Sequence, residues 1–122
     1  MKVYRCNKCG NIITMLNDAG VNPVCCGEDM QLLVANTEDS GAEKHVPVIE
    51  QDKGHVKVSV GAQPHPMLTD HHIEWIILLT DQGFYVRYLK PLDEPVACFN
   101  ICDSEKVLEA YEYCNIHGLW KA

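Results

Sequence analysis

The sequence predicts an all-β protein in two parts, a small β module held together by a metal and a β-sandwich behind it. Three observations lead there. Four of the seven cysteines fall within residues 1 to about 35, a stretch too short to bury a core of its own and therefore in need of a metal. The next residues, Asn36-Thr37-Glu38-Asp39-Ser40-Gly41, are polar and aperiodic and read as a linker. Beyond them, short strand-like runs recur between Gly and Pro turns, the pattern of a sandwich.

In the first part the short apolar segments are Ile12 to Leu16 and Leu32 to Ala35. In the second, strands are expected over His45 to Glu50, His55 to Val60, Ile73 to Thr80, Phe84 to Lys90 and Val96 to Ile101. His55-Val56-Lys57-Val58-Ser59-Val60 alternates polar and apolar residues, as a strand with one buried face should. Asp81-Gln82-Gly83 between two such runs has the composition of a hairpin turn. Val107 to Tyr113 fits either a strand or a helix capped by Ser104.

Two clusters of metal-ligating residues stand out. Cys114-Asn115-Ile116-His117, read with His45, His65 and His71, offers four imidazoles and one thiolate. Zinc is satisfied by four ligands in a tetrahedron, so five donors of this mix suit iron, with a sixth position left open for reaction. Cys114 and His117 are three residues apart in a segment ending at Gly118, so one tight turn serves both. Pro64 and Pro66 flank His65 and restrict its loop, which prepositions the ligand. At the other end, Cys6-Asn7-Lys8-Cys9 and the adjacent pair Cys25-Cys26 make a closed four-thiolate site that fits zinc or iron. The adjacent pair has no spacer and must approach the metal from a strained angle.

Bulk properties exclude several classes. Ten Lys and Arg against seventeen Asp and Glu give a net charge of −7, which repels nucleic acid and anionic lipid. No apolar run approaches the roughly 20 residues of a membrane span. The chain opens Met1-Lys2-Val3-Tyr4 with only a short apolar run, and its cysteine count is odd. Metal ligands in a reducing cytoplasm are therefore expected rather than a secreted disulfide scaffold. Along one strand Cys98 and Cys102 would stand about 13 Å apart at about 3.3 Å per residue, beyond the disulfide limit of about 7 Å. They are expected to be buried small hydrophobes or unreactive thiols.

Together the motifs carry a resemblance. Cys6, Cys9 and Cys25-Cys26 followed by Gly27-Glu28-Asp29-Met30 resemble the FeS4 domain of desulforedoxin. Glu43-Lys44-His45-Val46-Pro47, Pro64-His65-Pro66-Met67, His71 with Ile73-Glu74-Trp75, and Cys114-Asn115-Ile116-His117-Gly118-Leu119-Trp120 resemble the catalytic domain of superoxide reductase. In this order they are similar to desulfoferrodoxin, the two-iron superoxide reductases, over nearly the whole chain. The resemblance implies a desulforedoxin-like module over residues 1–36 and an immunoglobulin-like sandwich over residues 37–122, with Val107 to Tyr113 a strand. It implies an FeS4 iron on Cys6, Cys9, Cys25 and Cys26, and a second iron on His45, His65, His71, His117 and Cys114. The family separation of six residues from His65 selects His71 over His72, which stands where the family has an aromatic residue. Glu43 matches the carboxylate that takes the sixth position in the oxidised resting state, and Lys44 is placed to steer superoxide and help protonate peroxide. A rubredoxin-like electron donor and a homodimer are further family expectations.

Four neutral imidazoles and a thiolate leave Fe²⁺ with a charge of +1, which attracts an anion even on an acidic protein. Trp75 and Trp120 are expected as core or wall residues near the iron, and His55 and His72 as ordinary side chains. Two rival readings remain: a rubredoxin-like electron carrier using only the FeS4 site, and a zinc-stabilised binding module. An electron carrier has no use for an open position. Iron content and thiolate-to-iron colour separate both rivals from the reductase.

Overall fold

The computed structural model describes all 122 residues, as two compact units, Met1–Val34 and Ala35–Ala122. Every regular element is a strand.

In the first unit, β1 (Val3–Arg5) lies between β2 (Ile12–Thr14) and β5 (Gln31–Leu32), and the short hairpin β3 (Val24–Cys25) to β4 (Glu28–Asp29) stands apart. Its apolar interior is only Tyr4, Cys6 and Met30, with Met15 and Cys25 packed against them. So small a cluster agrees with a module that depends on its metal. The apolar run expected to reach Leu16 stops as strand at Thr14, and Leu16 is exposed.

The second unit is a sandwich of seven antiparallel strands. One sheet has the order β10 (Val96–Asn100), β7 (His55–Val60), β6 (Pro47–Asp52). The other has the order β12 (Gly118–Lys121), β11 (Val107–Cys114), β8 (Ile73–Thr80), β9 (Gly83–Tyr88). Val56, Val58 and Val60 of β7 meet Ile73, Ile76 and Leu78 of β8, with Ala97, Phe99 and Ala110, in one core. The period-2 alternation of β7 places its three valines on that face. Thr80 pairs with Gly83, so Asp81-Gln82 forms a two-residue hairpin loop. Val107 to Tyr113 is strand and runs on to Cys114, paired with β8 and β12.

Three expectations need correction. β12 was absent from the expected strands, because Gly118-Leu119-Trp120 reads as the tail of the ligand motif. Asn36 is no linker residue: it bridges Trp120, its amide donating to the Leu119 carbonyl and its carbonyl accepting from the Lys121 amide, both at 2.9 Å. Cys98 and Cys102 are free and exposed, not buried. Cys98 alternates with Ala97 and Phe99, which take the inward positions of β10.

Candidate metal centres

Two loops and two turns converge at one end of the sandwich. His45 precedes β6, and its backbone N–H and that of Val46 donate to Asp39 Oδ1 at 2.6 and 3.1 Å. His65 closes the loop after β7, its amide bonded to the Val60 carbonyl at 2.9 Å. His71 ends a turn in which Leu68 and His71 exchange backbone hydrogen bonds. Cys114 ends β11 at a register shift, which re-aims its side chain, and His117 sits in the turn to β12. Gly118 takes φ +80 there, a conformation that a side chain would strain.

The four imidazoles close a ring in the order His45, His65, His71, His117. Neighbouring rings stand edge to face, with centroids 4.6, 4.8, 5.1 and 4.8 Å apart. His65 Nε2 lies 3.0 Å from His45 Nε2, which lies 3.1 Å from His117 Nδ1. Cys114 Sγ is 3.8 Å from His117 Nδ1 and fully buried. One ligand atom from each of the five residues falls within 4.8 Å of the others.

Glu43 Oε2 lies 3.4 to 3.8 Å from nitrogens of His71, His117 and His45 and is buried without a hydrogen bond. Beside it is a cavity of about 350 Å³ lined by Ser40, Ala42, Glu43, His45, His117 and Trp120. A larger groove on the outer face of the β10-β7-β6 sheet contains none of these ligands. Lys44 Nζ donates to the Gly41 carbonyl at 3.1 Å, within its own loop.

The donor set fits a metal on its own chemistry. His71 Nε2 is buried with no hydrogen-bond partner, a costly state that a cation relieves. His65 holds Nδ1 2.7 Å from the Pro66 carbonyl, so Nδ1 donates and the Nε2 lone pair faces the ring, as a metal ligand requires. Burial first, and then the neighbouring imidazoles, push His45 down to about 4. Burial also lowers His65. These rings are therefore neutral and able to ligate at pH 7. Burial raises the Cys114 thiol, and a bound cation reverses that preference. Five donors exceed a zinc tetrahedron and match iron.

The histidine pair divides clearly. His72 turns away, its Nδ1 3.0 Å from the Leu68 carbonyl, while its backbone N–H donates to Asn115 Oδ1 at 2.8 Å and its carbonyl accepts from the Asn115 amide at 3.1 Å. Both histidines precede β8, so strand alternation is not what separates them. Trp120 stacks on His45, whereas Trp75 stacks on Tyr113 at 5.5 Å.

Sequence reading missed Glu112, which is 0% exposed on β11 with both carboxylate oxygens unpartnered. Burial, then the charge of Asp39, pushes its carboxyl up to about 9. Its place two residues after inward-facing Ala110, on the same face of β11, was the available signal.

In the first unit the sulfurs of Cys6, Cys9, Cys25 and Cys26 lie within 4.8 Å of one another. The Cys9 amide points at Cys6 Sγ at 3.4 Å, and such donors hold the Cys6 thiol down at about 6. The other sulfurs, Cys9 first, push Cys26 up to about 12. Four thiolates so close repel one another unless a cation sits between them, and the set fits iron. Cys26 carries φ +53, the backbone strain of aiming two adjacent ligands at one point, and Gly27 continues the turn at φ +76 without cost.

Fold and sites define an all-β non-haem metalloprotein with one closed thiolate centre and one open nitrogen-sulfur centre. Family comparison narrows the class. The desulfoferrodoxin profile matches residues 37–122 and the profile of the desulfoferrodoxin N-terminal domain matches residues 1–33. The chain is 52% identical over 122 residues to the desulfoferrodoxin of Desulfarculus baarsii, covering 100% of this chain and 95% of the relative. A superoxide reductase of Pyrococcus horikoshii is 42% identical over 100 residues, covering 68% of this chain and 87% of the relative. The crystal structure of the superoxide reductase from Treponema pallidum superposes with a TM-score of 0.86 at 33% identity, over 99% of this chain and 96% of that one. The chain belongs to the desulfoferrodoxin family.

Proposed function

We propose that this chain is a superoxide reductase, which converts superoxide to hydrogen peroxide with one electron and two protons. The ring of four imidazoles with buried Cys114 and a cavity at Glu43 carries the reading, and the family membership supports it. His45, His65, His71, His117 and Cys114 would hold the catalytic iron, and Cys6, Cys9, Cys25 and Cys26 a second iron for electron transfer or storage. Iron held by these five residues would supply the electron and attract the anion. Every other step belongs to the protein. Glu43 occupies the mouth in the resting state and yields it to the anion. Lys44 swings from the Gly41 carbonyl to raise the local potential and to bring a proton to the departing peroxide. Trp120 walls the cavity and stacks on His45, which fixes the orientation of that imidazole.

The electron-handling module, expected over residues 1–36, is proposed for Met1–Val34, and the catalytic domain for Ala35–Ala122, since Asn36 pairs with Trp120. The chain works in the cytoplasm as a homodimer and takes its electrons from a rubredoxin-like donor. Neither rival reading accounts for five donors around one open position.

Metal analysis and pulse radiolysis test the proposal. Two irons per chain, with rapid second-order oxidation of one by superoxide and release of peroxide, are expected. A colourless zinc protein inert to superoxide would overturn it.

A further inference from the structure

Gly61 lies against the backbone of Lys44. A Cβ at Gly61 would meet the Lys44 carbonyl oxygen at 2.6 Å, its carbonyl carbon at 2.7 Å and its Cβ at 2.9 Å. Real side chains do not approach that closely, and two of the three atoms are backbone, which cannot rotate aside. Gly61 has no positive φ, and the close approach of the Lys44 backbone is a reason for a glycine here. Its own loop is the one that carries His65: the Gly61 amide donates to the Gln63 carbonyl at 3.2 Å and the His65 amide to the Val60 carbonyl at 2.9 Å. On its other flank, the segment holding Glu43 and Lys44 is tied down by Asp39, which accepts from the His45 and Val46 amides.

We infer that Gly61 is a positioning residue for the reaction: its bare Cα seats the Lys44 peptide against the His65 loop and so aims Lys44 and Glu43 relative to the imidazole ring. This rests on the proposed role of Lys44. The clamp has two jaws, the Asp39 carboxylate and the Gly61 backbone, and an added methyl at Gly61 forces the Lys44 peptide outward and loosens the hold of Asp39 on the His45 and Val46 amides.

The test uses the full-length, iron-loaded protein. Gly61→Ala should slow the reaction with superoxide roughly tenfold, the scale of lost electrostatic steering. It should also flatten the salt dependence and raise hydrogen exchange at the His45 and Val46 amides, with iron content and ferric colour unchanged. Gly54→Ala is the control: its Cβ would meet the Ile101 carbonyl oxygen at 2.5 Å, an equal clash at the opposite end of the β6-β7 hairpin, and should lower stability while leaving the rate intact. The double variant Gly61→Ala with Lys44→Ala should be no slower than Lys44→Ala alone. A slow Lys44→Ala beside a normal Gly61→Ala, or slowing that multiplies in the double variant, would overturn the inference and leave the role of Lys44 standing. If Lys44→Ala reacts normally, the steering reading fails instead, and unchanged exchange in Gly61→Ala would then also overturn the clamp. If Gly61→Ala does not fold, Ala62→Gly, which loosens the same turn without adding an atom, decides: faster exchange at the same amides with a twofold or greater slowing supports the inference, and no change overturns it.

Discussion

The His45 imidazole stacks on the Trp120 indole, with ring centroids 4.6 Å apart and planes inclined by 13°. The same indole donates from Nε1 to the His117 carbonyl at 3.1 Å. One aromatic side chain from β12 therefore orients two members of the imidazole ring that are 72 residues apart.

Trp120→Ala should lower stability by about 3 to 5 kcal/mol, the usual loss for a buried Trp truncated to Ala, and should also reduce iron retention at the imidazole site. Trp120→Phe keeps the stack and loses one hydrogen bond, which costs about 1 kcal/mol. Thermal melts with iron analysis measure both. Equal iron affinity in the two variants would separate Trp120 from ligand orientation.

His71→Ala should lower iron content or alter the visible spectrum, because the His71 Nε2 is buried and otherwise unpartnered. His72→Ala should leave the spectrum intact, since its Nδ1 is engaged with the Leu68 carbonyl. The reverse pattern would show that the ligand register is shifted by one.

Cys9→Ser should abolish the FeS4 spectrum while the second iron is still oxidised rapidly by superoxide. The two donor sets lie in separate compact units, so their metals should be lost independently. A folded Cys9→Ser protein without either signal would contradict that division.

Lys44→Ala should slow the second-order reaction with superoxide about tenfold and weaken its salt dependence. Lys44→Arg should keep most of the rate, because steering depends on charge more than on the shape of the cation. Pulse radiolysis at several salt concentrations gives both values, and an unchanged rate and slope in Lys44→Ala would reduce it to a solvated side chain.

Glu105 predicts an acid-sensitive fold. Thr80 Oγ1 donates to its carboxylate at 2.6 Å, Tyr85 at 2.8 Å and the Cys102 amide at 3.3 Å. These bonds, Thr80 first, hold the carboxyl below its ordinary value of 4.5. A depressed folded pKa adds stability above the unfolded value, and that stability is lost as pH falls through the folded one. Melting temperature should therefore drop below about pH 4.5. Glu105→Gln should melt lower at pH 7, with a difference from wild type that shrinks in acid. A constant difference across that range would refute the linkage.

Seven of the nine candidate donors were legible because each sits in a short local motif: a C-x-x-C turn, an adjacent cysteine pair, a histidine between prolines, a Cys and a His three residues apart; His45 and His71 were singled out by the family resemblance. Alternation of polar and apolar residues likewise marks β7 in the sequence itself, since period-2 burial is a local property of the chain. What local pattern does not contain is the distance between segments far apart in sequence. The family spacing implied His71 over His72, but only packing supplied the reason: the Leu68 carbonyl takes His72 and leaves His71 to the ring. Packing also turned Asn36 from a linker residue into a partner of Trp120, exposed Cys98 by giving its neighbours the core, and buried Glu112 beside Cys114. It gave Gly61 its importance too, because a missing Cβ matters only where another backbone comes to occupy that space.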